Sequence, residues 1–199
     1  MKKYIICCLG VLFISGCATK TPHIQEYVLH VNSKTKVYKK SRCQDKTLKI
    51  LKPYSASEYM VRELHYVVEG VEQNRFNYSS LSASPSQVLH DELVKLVRES
   101  RIYGSVLGSE SVAGSSEVLE IELKTFKQYF SKDLKQSHVV MDVTLSVVDT
   151  KTYKVVAQKR FVGKKDVATL DAKGGVVALS ALAREELGSM IEWLAKGCQ

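Results

Sequence analysis

Three stretches in the second half of the chain alternate apolar and polar side chains for so long that few folds accommodate them. Val118–Phe126 alternates first; in His138–Val148 the residues Val139, Met141, Val143, Leu145 and Val147 share a face; in Tyr153–Val162 that face holds Val155, Ala157 and Phe161. A period of two sends alternate side chains to opposite sides of a strand. The segments between them, Ser131–Ser137 and Asp149-Thr150-Lys151-Thr152, are polar and short. Neighbours joined in this way pair antiparallel, so a three-stranded meander with one dry face is predicted. A dry face needs a cover. Val176, Leu179, Ala183, Leu187, Met190, Ile191 and Leu194 recur at helical spacing up to Ala195 and supply it.

The first half reads in shorter pieces. Glu26–Val31 is a strand with Tyr27, Leu29 and Val31 on one face, and a basic stretch, 32–46, leads to a second strand, Thr47–Leu51, which Pro53 ends. Leu64–Val68 and Asn74–Tyr78 form a pair joined through Gly70. A helix then opens with Ser84 as N-cap, Pro85 at its first position and Gln87 completing a capping box. Leu89, Leu93, Leu96 and Val97 make its apolar face, and it runs to about Ser100. Tyr103–Leu107 is a short strand and 108–116 a loop. The expected class is α+β: an antiparallel β-sheet with two main helices packed on one face, in one domain.

The N-terminus fixes the compartment. Lys2 and Lys3 precede an apolar run, Tyr4–Ile14, and the small residues Ser15 and Gly16 lead to Cys17. A positive start, a short apolar middle and a small-residue exit form a secretory signal, shorter than the roughly 20 residues of a spanning helix. Ile14-Ser15-Gly16-Cys17 resembles the lipobox cut by lipoprotein signal peptidase, which makes Cys17 the lipidation site. The expected division is a signal peptide at 1–16, a lipidated tether at 17–25 and the α+β domain at 26–199. Two or three acyl chains, palmitate among them, anchor such a protein without a transmembrane helix, since each buried methylene contributes about 0.8 kcal/mol. Ala18, in place of Asp, agrees with sorting to the outer membrane from the periplasmic side.

Formal net charge is +8, and loss of Lys2 and Lys3 lowers it to +6 (8 − 2). The excess lies in Lys34, Lys36, Lys39, Lys40, Arg42 and Lys46, and in Lys151, Lys154, Lys159, Arg160, Lys164 and Lys165. Export removes nucleic acid as a partner. Solvated lysines are the simpler reading, with attraction to anionic headgroups or an acidic partner as the other. Of five cysteines, Cys7 and Cys8 leave with the signal and Cys17 takes lipid, so Cys43 and Cys198 remain in an oxidising compartment. They allow one intramolecular disulfide, with two free thiols as the alternative. Closing a loop of about 150 residues stabilises by roughly 5 kcal/mol in the chain-entropy model, before native strain is subtracted.

Taken in order, these features resemble one family. They are the lipobox; Tyr27-Val28-Leu29 in an early strand; a strand ending at Pro53; a tyrosine-rich hairpin; Tyr78 followed by Ser84-Pro85; a meander turning at Asp149-Thr150; and a last helix carrying Trp193. The pattern is similar to that of the ABC-type transport auxiliary lipoproteins, the lipoprotein component of MCE-type phospholipid transport systems. One position departs from it: Leu81 stands where an aromatic or basic residue, usually Trp, is expected. The resemblance implies a non-enzymatic accessory part. Its partners would be an MCE-domain protein and an ABC permease and ATPase, with possible phospholipid contact.

Catalytic patterns are absent from the sequence. His23, His30, His65, His90 and His138 are dispersed, with no His-Glu-x-x-His pair, no Gly-x-Ser-x-Gly elbow and no phosphate-cradling loop. His90-Asp91-Glu92 reads as a solvated helix face, and Gly174-Gly175 as the entrance to the last helix. No enzyme, metal or cofactor is expected. Tyr54, Tyr59, Tyr66 and Tyr78 concentrate before the first helix, and tyrosines favour interfaces because they join apolar area to a polar tip. Tyr66 and Tyr78 are therefore candidate partner-binding residues, ordinary strand aromatics being the alternative. Two other readings of the whole are an outer-membrane assembly lipoprotein of the lipopolysaccharide-assembly type and an activator of a peptidoglycan synthase.

Overall fold

The computed structural model describes residues 23–199. Cys17, the signal peptide and most of the tether lie outside that range. Nine strands and two long helices follow: β1 Gln25–Tyr27, β2 Thr47–Ile50, β3 Tyr54–Ser55, β4 Glu63–Val68, β5 Glu72–Leu81, α1 Pro85–Ser100, β6 Ser105–Leu107, β7 Glu117–Phe130, β8 Ser137–Asp149, β9 Val155–Asp166 and α2 Ala172–Gly197. A single 3-10 turn, Ser57–Tyr59, sits between β3 and β4.

The class is α+β, as expected, but the sheet is mixed. β7, β8 and β9 form the antiparallel meander. The other edge of β7 is shared by β2, β3 and β4 in succession, all parallel to it. β6 extends β2 in parallel, β5 pairs antiparallel with β4, and β1 adds in parallel to β5. Parallel partners need crossover connections, which leave no mark in the periodicity.

The meander strands are longer than their alternation suggested. β7 runs four residues past Phe126 because its register shifts between Leu123 and Thr125. This bulge reverses which parity faces the helices. Leu119, Ile121 and Leu123 face them before it, and Phe126, Gln128 and Phe130 after it, opposite Met141, Val139 and Ser137. Lys127 and Tyr129 are thereby turned to the other side. The first strand is shorter than expected: only Gln25–Tyr27 pairs, although Leu29 and Val31 beyond it are buried.

α2 lays Val176, Leu179, Ala183, Leu187, Met190 and Leu194 on β7–β9 and touches α1, so both helices share one face of the sheet. Asp171 caps α2 by accepting from the Gly174 amide at 2.7 Å. The glycine pair at its start has a packing reason. A Cβ at Gly174 would meet the Thr169 carbonyl, and one at Gly175 the Gln128 amide. Ser84 caps α1 by accepting from Gln87 N at 3.3 Å, but the Gln87 side chain turns to Asp91, so the reciprocal half of the capping box is unmade. His90 is a further correction. It is buried, with Nδ1 3.0 Å from Asp91 and Nε2 3.3 Å from the Ile50 carbonyl, where it joins α1 to the end of β2.

Cys43 and Cys198 form the expected disulfide, across 155 residues of sequence. Arg42 N donates to the Cys198 carbonyl at 2.8 Å beside it, so the end of α2 is tied to the approach to β2 twice. A Cys43→Ser/Cys198→Ser variant is expected to lose about 2–5 kcal/mol of unfolding free energy, with faster amide exchange over the last turn of α2. Urea titration and hydrogen exchange check this; an unchanged midpoint would contradict it.

Candidate functional site

The two ends of the sheet differ in chemistry. At one, β7 begins with Glu117, β8 ends and α2 closes on the disulfide. There a cleft of about 270 Å³ is lined by Lys46, Tyr103, Glu117, Trp193 and both half-cystines, among others. The Glu117 side chain is 7% exposed. Lys46 Nζ donates to its Oε1 at 2.6 Å and the Tyr103 hydroxyl to its Oε2 at 2.8 Å. Burial first, and the neighbouring carboxylate next, push the Tyr103 phenol far above its ordinary value, so it remains a protonated donor. With a donor on each oxygen, Glu117 acts as a lock between β7, the segment before β6 and the approach to β2. Trp193 reaches from α2 to the ring of Phe161 on β9, 5.9 Å away. No group of three or more His, Cys, Asp or Glu suited to a metal occurs among the described residues.

The other end is aromatic. Tyr66 on β4 lies 4.6 Å from Phe76 on β5 and 5.4 Å from Phe130 on β7, centroid to centroid. The β4–β5 turn that brings them together needs two left-handed residues, Glu69 (φ 53°) and Gly70 (φ 76°). Tyr66 is half-buried in this triad, whereas Tyr78, two residues beyond Phe76, is 58% exposed. The structure therefore separates the two candidate tyrosines: Tyr66 is largely packing and Tyr78 is free surface. The wider tyrosine cluster also divides, since Tyr54 is exposed and Tyr59 belongs to the core. Leu81 is buried, so the position that departs from the family pattern does packing work here. Phe76 and Phe130 were not singled out from the sequence. Their contact depends on strand pairing; Phe76 lay in a predicted strand, and Phe130 lay beyond the alternation that ended at Phe126.

Behind the triad, on the face opposite the helices, Lys127 is 7% exposed. Its Nζ donates to Glu58 Oε1 at 2.8 Å and to Gln73 Oε1 at 3.0 Å, and sits 5.5 Å from the Tyr59 ring centroid. The 3-10 turn covers this ammonium and supplies its carboxylate. Burial alone would raise the Glu58 carboxyl; the Lys127 hydrogen bond and charge outweigh it and hold the group below its ordinary value. Several basic residues counted from sequence are likewise paired within the fold: Lys46 with Glu117, Arg160 with Asp142 and Lys165 with Glu185. Those pairs leave less free positive charge than composition suggests.

No protein-family model and no curated protein matches the sequence. Solved structures do match the fold. The structure of protein XCC0632 from Xanthomonas campestris, of family DUF330, is similar with a TM-score of 0.75 at 13% identity, covering 87% of this chain and 96% of that one. An uncharacterised protein gives 0.60 at 15% identity over 81% of this chain and 99% of its own. The PelC dodecamer subunit from Paraburkholderia phytofirmans gives 0.50 at 12% identity over 81% and 94%. At these identities what is shared is the fold.

The Glu58–Lys127 pair makes a testable claim. A depressed carboxyl adds stability that is present above its unfolded value and lost as pH falls through the folded one. Glu58→Gln is expected to cost about 2 kcal/mol at neutral pH by leaving a buried ammonium short of its partner. The gap from wild type should narrow as pH falls from the ordinary glutamate value, about 4.3, through the lower value at which the native carboxyl takes up its proton. Urea unfolding across pH reads it, and a gap that ignores pH would contradict the pairing.

Proposed function

We propose that this chain is a lipid-anchored envelope protein, held by diacylglycerol and palmitate on Cys17, that serves as an accessory component of an MCE/ABC-type phospholipid transport system. The observation that carries the reading is the order of features from lipobox to Trp193, which spans the mature chain. The fold supports it by placing the features from Tyr27 to Trp193 in one continuous α+β body and by its likeness, over 87% of the chain, to a DUF330 protein. No described helix is long and apolar enough to cross a membrane, which is compatible with anchoring by lipid. The role proposed is binding, not catalysis. Glu117 is locked by two donors, and the aromatic end offers surface.

Of that surface, Tyr78 is the residue to test for contact with the MCE protein. Palmitate labelling that is abolished by Cys17→Ser, together with co-purification of the MCE protein, permease and ATPase of the same organism, is expected. Within that assembly Tyr78→Ala should lower recovery of the MCE protein several-fold with no change in melting temperature. Tyr66→Ala should lower the melting temperature instead, because it opens the triad. Full recovery with Tyr78→Ala would remove this surface, and failure to recover any transporter component would remove the transport reading.

A further inference from the structure

Three loops converge at the aromatic end of the sheet, and each carries one exposed aliphatic side chain. Val71 in the β4–β5 turn is 85% exposed, Leu134 between β7 and β8 is 52% exposed, and Leu170 before α2 is 45% exposed. The loops are neighbours by direct bonds. Glu69 N donates to the Phe130 carbonyl at 3.0 Å, Lys132 pairs with Glu69 at 3.5 Å, and Val167 N donates to the Ser137 carbonyl at 3.0 Å. Single apolar residues on a surface need no explanation. One at the tip of each of three adjacent loops, over an aromatic base of Tyr66, Phe76 and Phe130, is a different matter.

The described residues just before β1 head toward this same end. β1 runs parallel to β5 with Gln25 beside Ser79, so following the chain back from Ile24 leads along β5 toward Val71. Ile24 shares a groove with Phe76 and Asn77. Seven residues separate Ile24 from Cys17, and seven separate Tyr78, level with Ile24, from Val71. Seven extended residues reach about 25 Å at most, which is the length of β5 from Tyr78 to its tip. Cys17 therefore lies within about 25 Å of Ile24, near enough for the three loops to meet the bilayer that holds it.

We infer that Val71, Leu134 and Leu170 form a membrane-contact surface, inserting into the headgroup–acyl boundary of the bilayer that holds Cys17. The inference rests on the proposed lipidation. Its occupant is a lipid surface and its attraction is apolar. The loops and the element ends beside them bear Glu69, Glu72, Asp133, Asp166 and Asp171 against Lys132, Lys135, Lys164, Lys165 and Lys173, which balance, so anionic headgroups have no advantage there and zwitterionic lipid suffices. Interfacial insertion of this kind scales with apolar area. The disulfide end, about 45 Å away along the 14-residue β7, then faces the aqueous space with its cleft and Trp193.

The test uses the full lipidated chain in phosphatidylcholine vesicles. A single cysteine carrying an environment-sensitive dye replaces Val71, Leu134 or Leu170, with Val112 and Tyr153 as control sites; both controls are exposed at the disulfide end. All five sites are on the surface, so folding is not at stake. Flotation with the vesicles and several-fold stronger quenching by acyl-chain nitroxides at the three loop sites than at the controls is expected. Flotation with all five dyes remaining in water would overturn the membrane surface and leave the anchor standing. Shielding at the loops that grows with protein density and ignores nitroxide would assign the patch to a second copy and equally overturn it. A chain that does not float would overturn the lipidation reading, and this inference with it.

Discussion

Strand β7 carries the fold. One of its edges pairs with β8 along its whole length, and the other is divided among β2, β3 and β4. The first half of the chain therefore has no sheet separate from β7: β2, β3 and β4 pair with it directly, β6 through β2, and β5 and β1 through β4. The bulge at Lys124 gives this strand two roles. Before it, aliphatics pack on α2; after it, the parity reverses, so that Phe130 joins the aromatic triad and Lys127 turns away from the helices to meet Glu58. Without that shift a lysine would point into the apolar layer, where an unpaired ammonium is costly.

The ends of the sheet are secured differently. The disulfide end is covalent and ionic. Cys43–Cys198 holds α2, while Glu117 gathers Lys46 and Tyr103 around the first residue of β7. The aromatic end is closed by packing, turns and the exposed Lys132–Glu69 pair, and Val71, Leu134 and Leu170 are left exposed on it. Rigidity at one end and open apolar surface at the other suit a part whose aromatic pole lies against the bilayer while the flank of β5, with the exposed Tyr78, is left for a partner.

Much of this was legible in the amino-acid sequence where periodicity is long. The meander, both helices, the Ser84 cap and the cysteine pairing all follow from spacing or elimination. The parallel partners of β7 did not, because β2, β3 and β4 are two to six residues long and their pairing is decided by connections, not by pattern. His90 was misread for a related reason. It lies off the Leu89-Leu93-Leu96-Val97 stripe, and only the approach of β2 to α1 buries it. At the candidate site, tyrosine enrichment drew attention to the β4–β5 hairpin but could not sort core from surface. Val71, Leu134 and Leu170 went unread because they sit in segments that a periodicity argument treats as turns.

The central claim is a role in phospholipid transport, and the most direct measurement is of phospholipid itself. In the source bacterium, removing this chain should change the phospholipid content of the outer membrane's outer leaflet to the same extent as removing the MCE protein. Removing both should add nothing further. An unchanged phospholipid distribution, accompanied by a defect in lipopolysaccharide assembly or peptidoglycan synthesis, would contradict the claim and favour one of the other envelope roles.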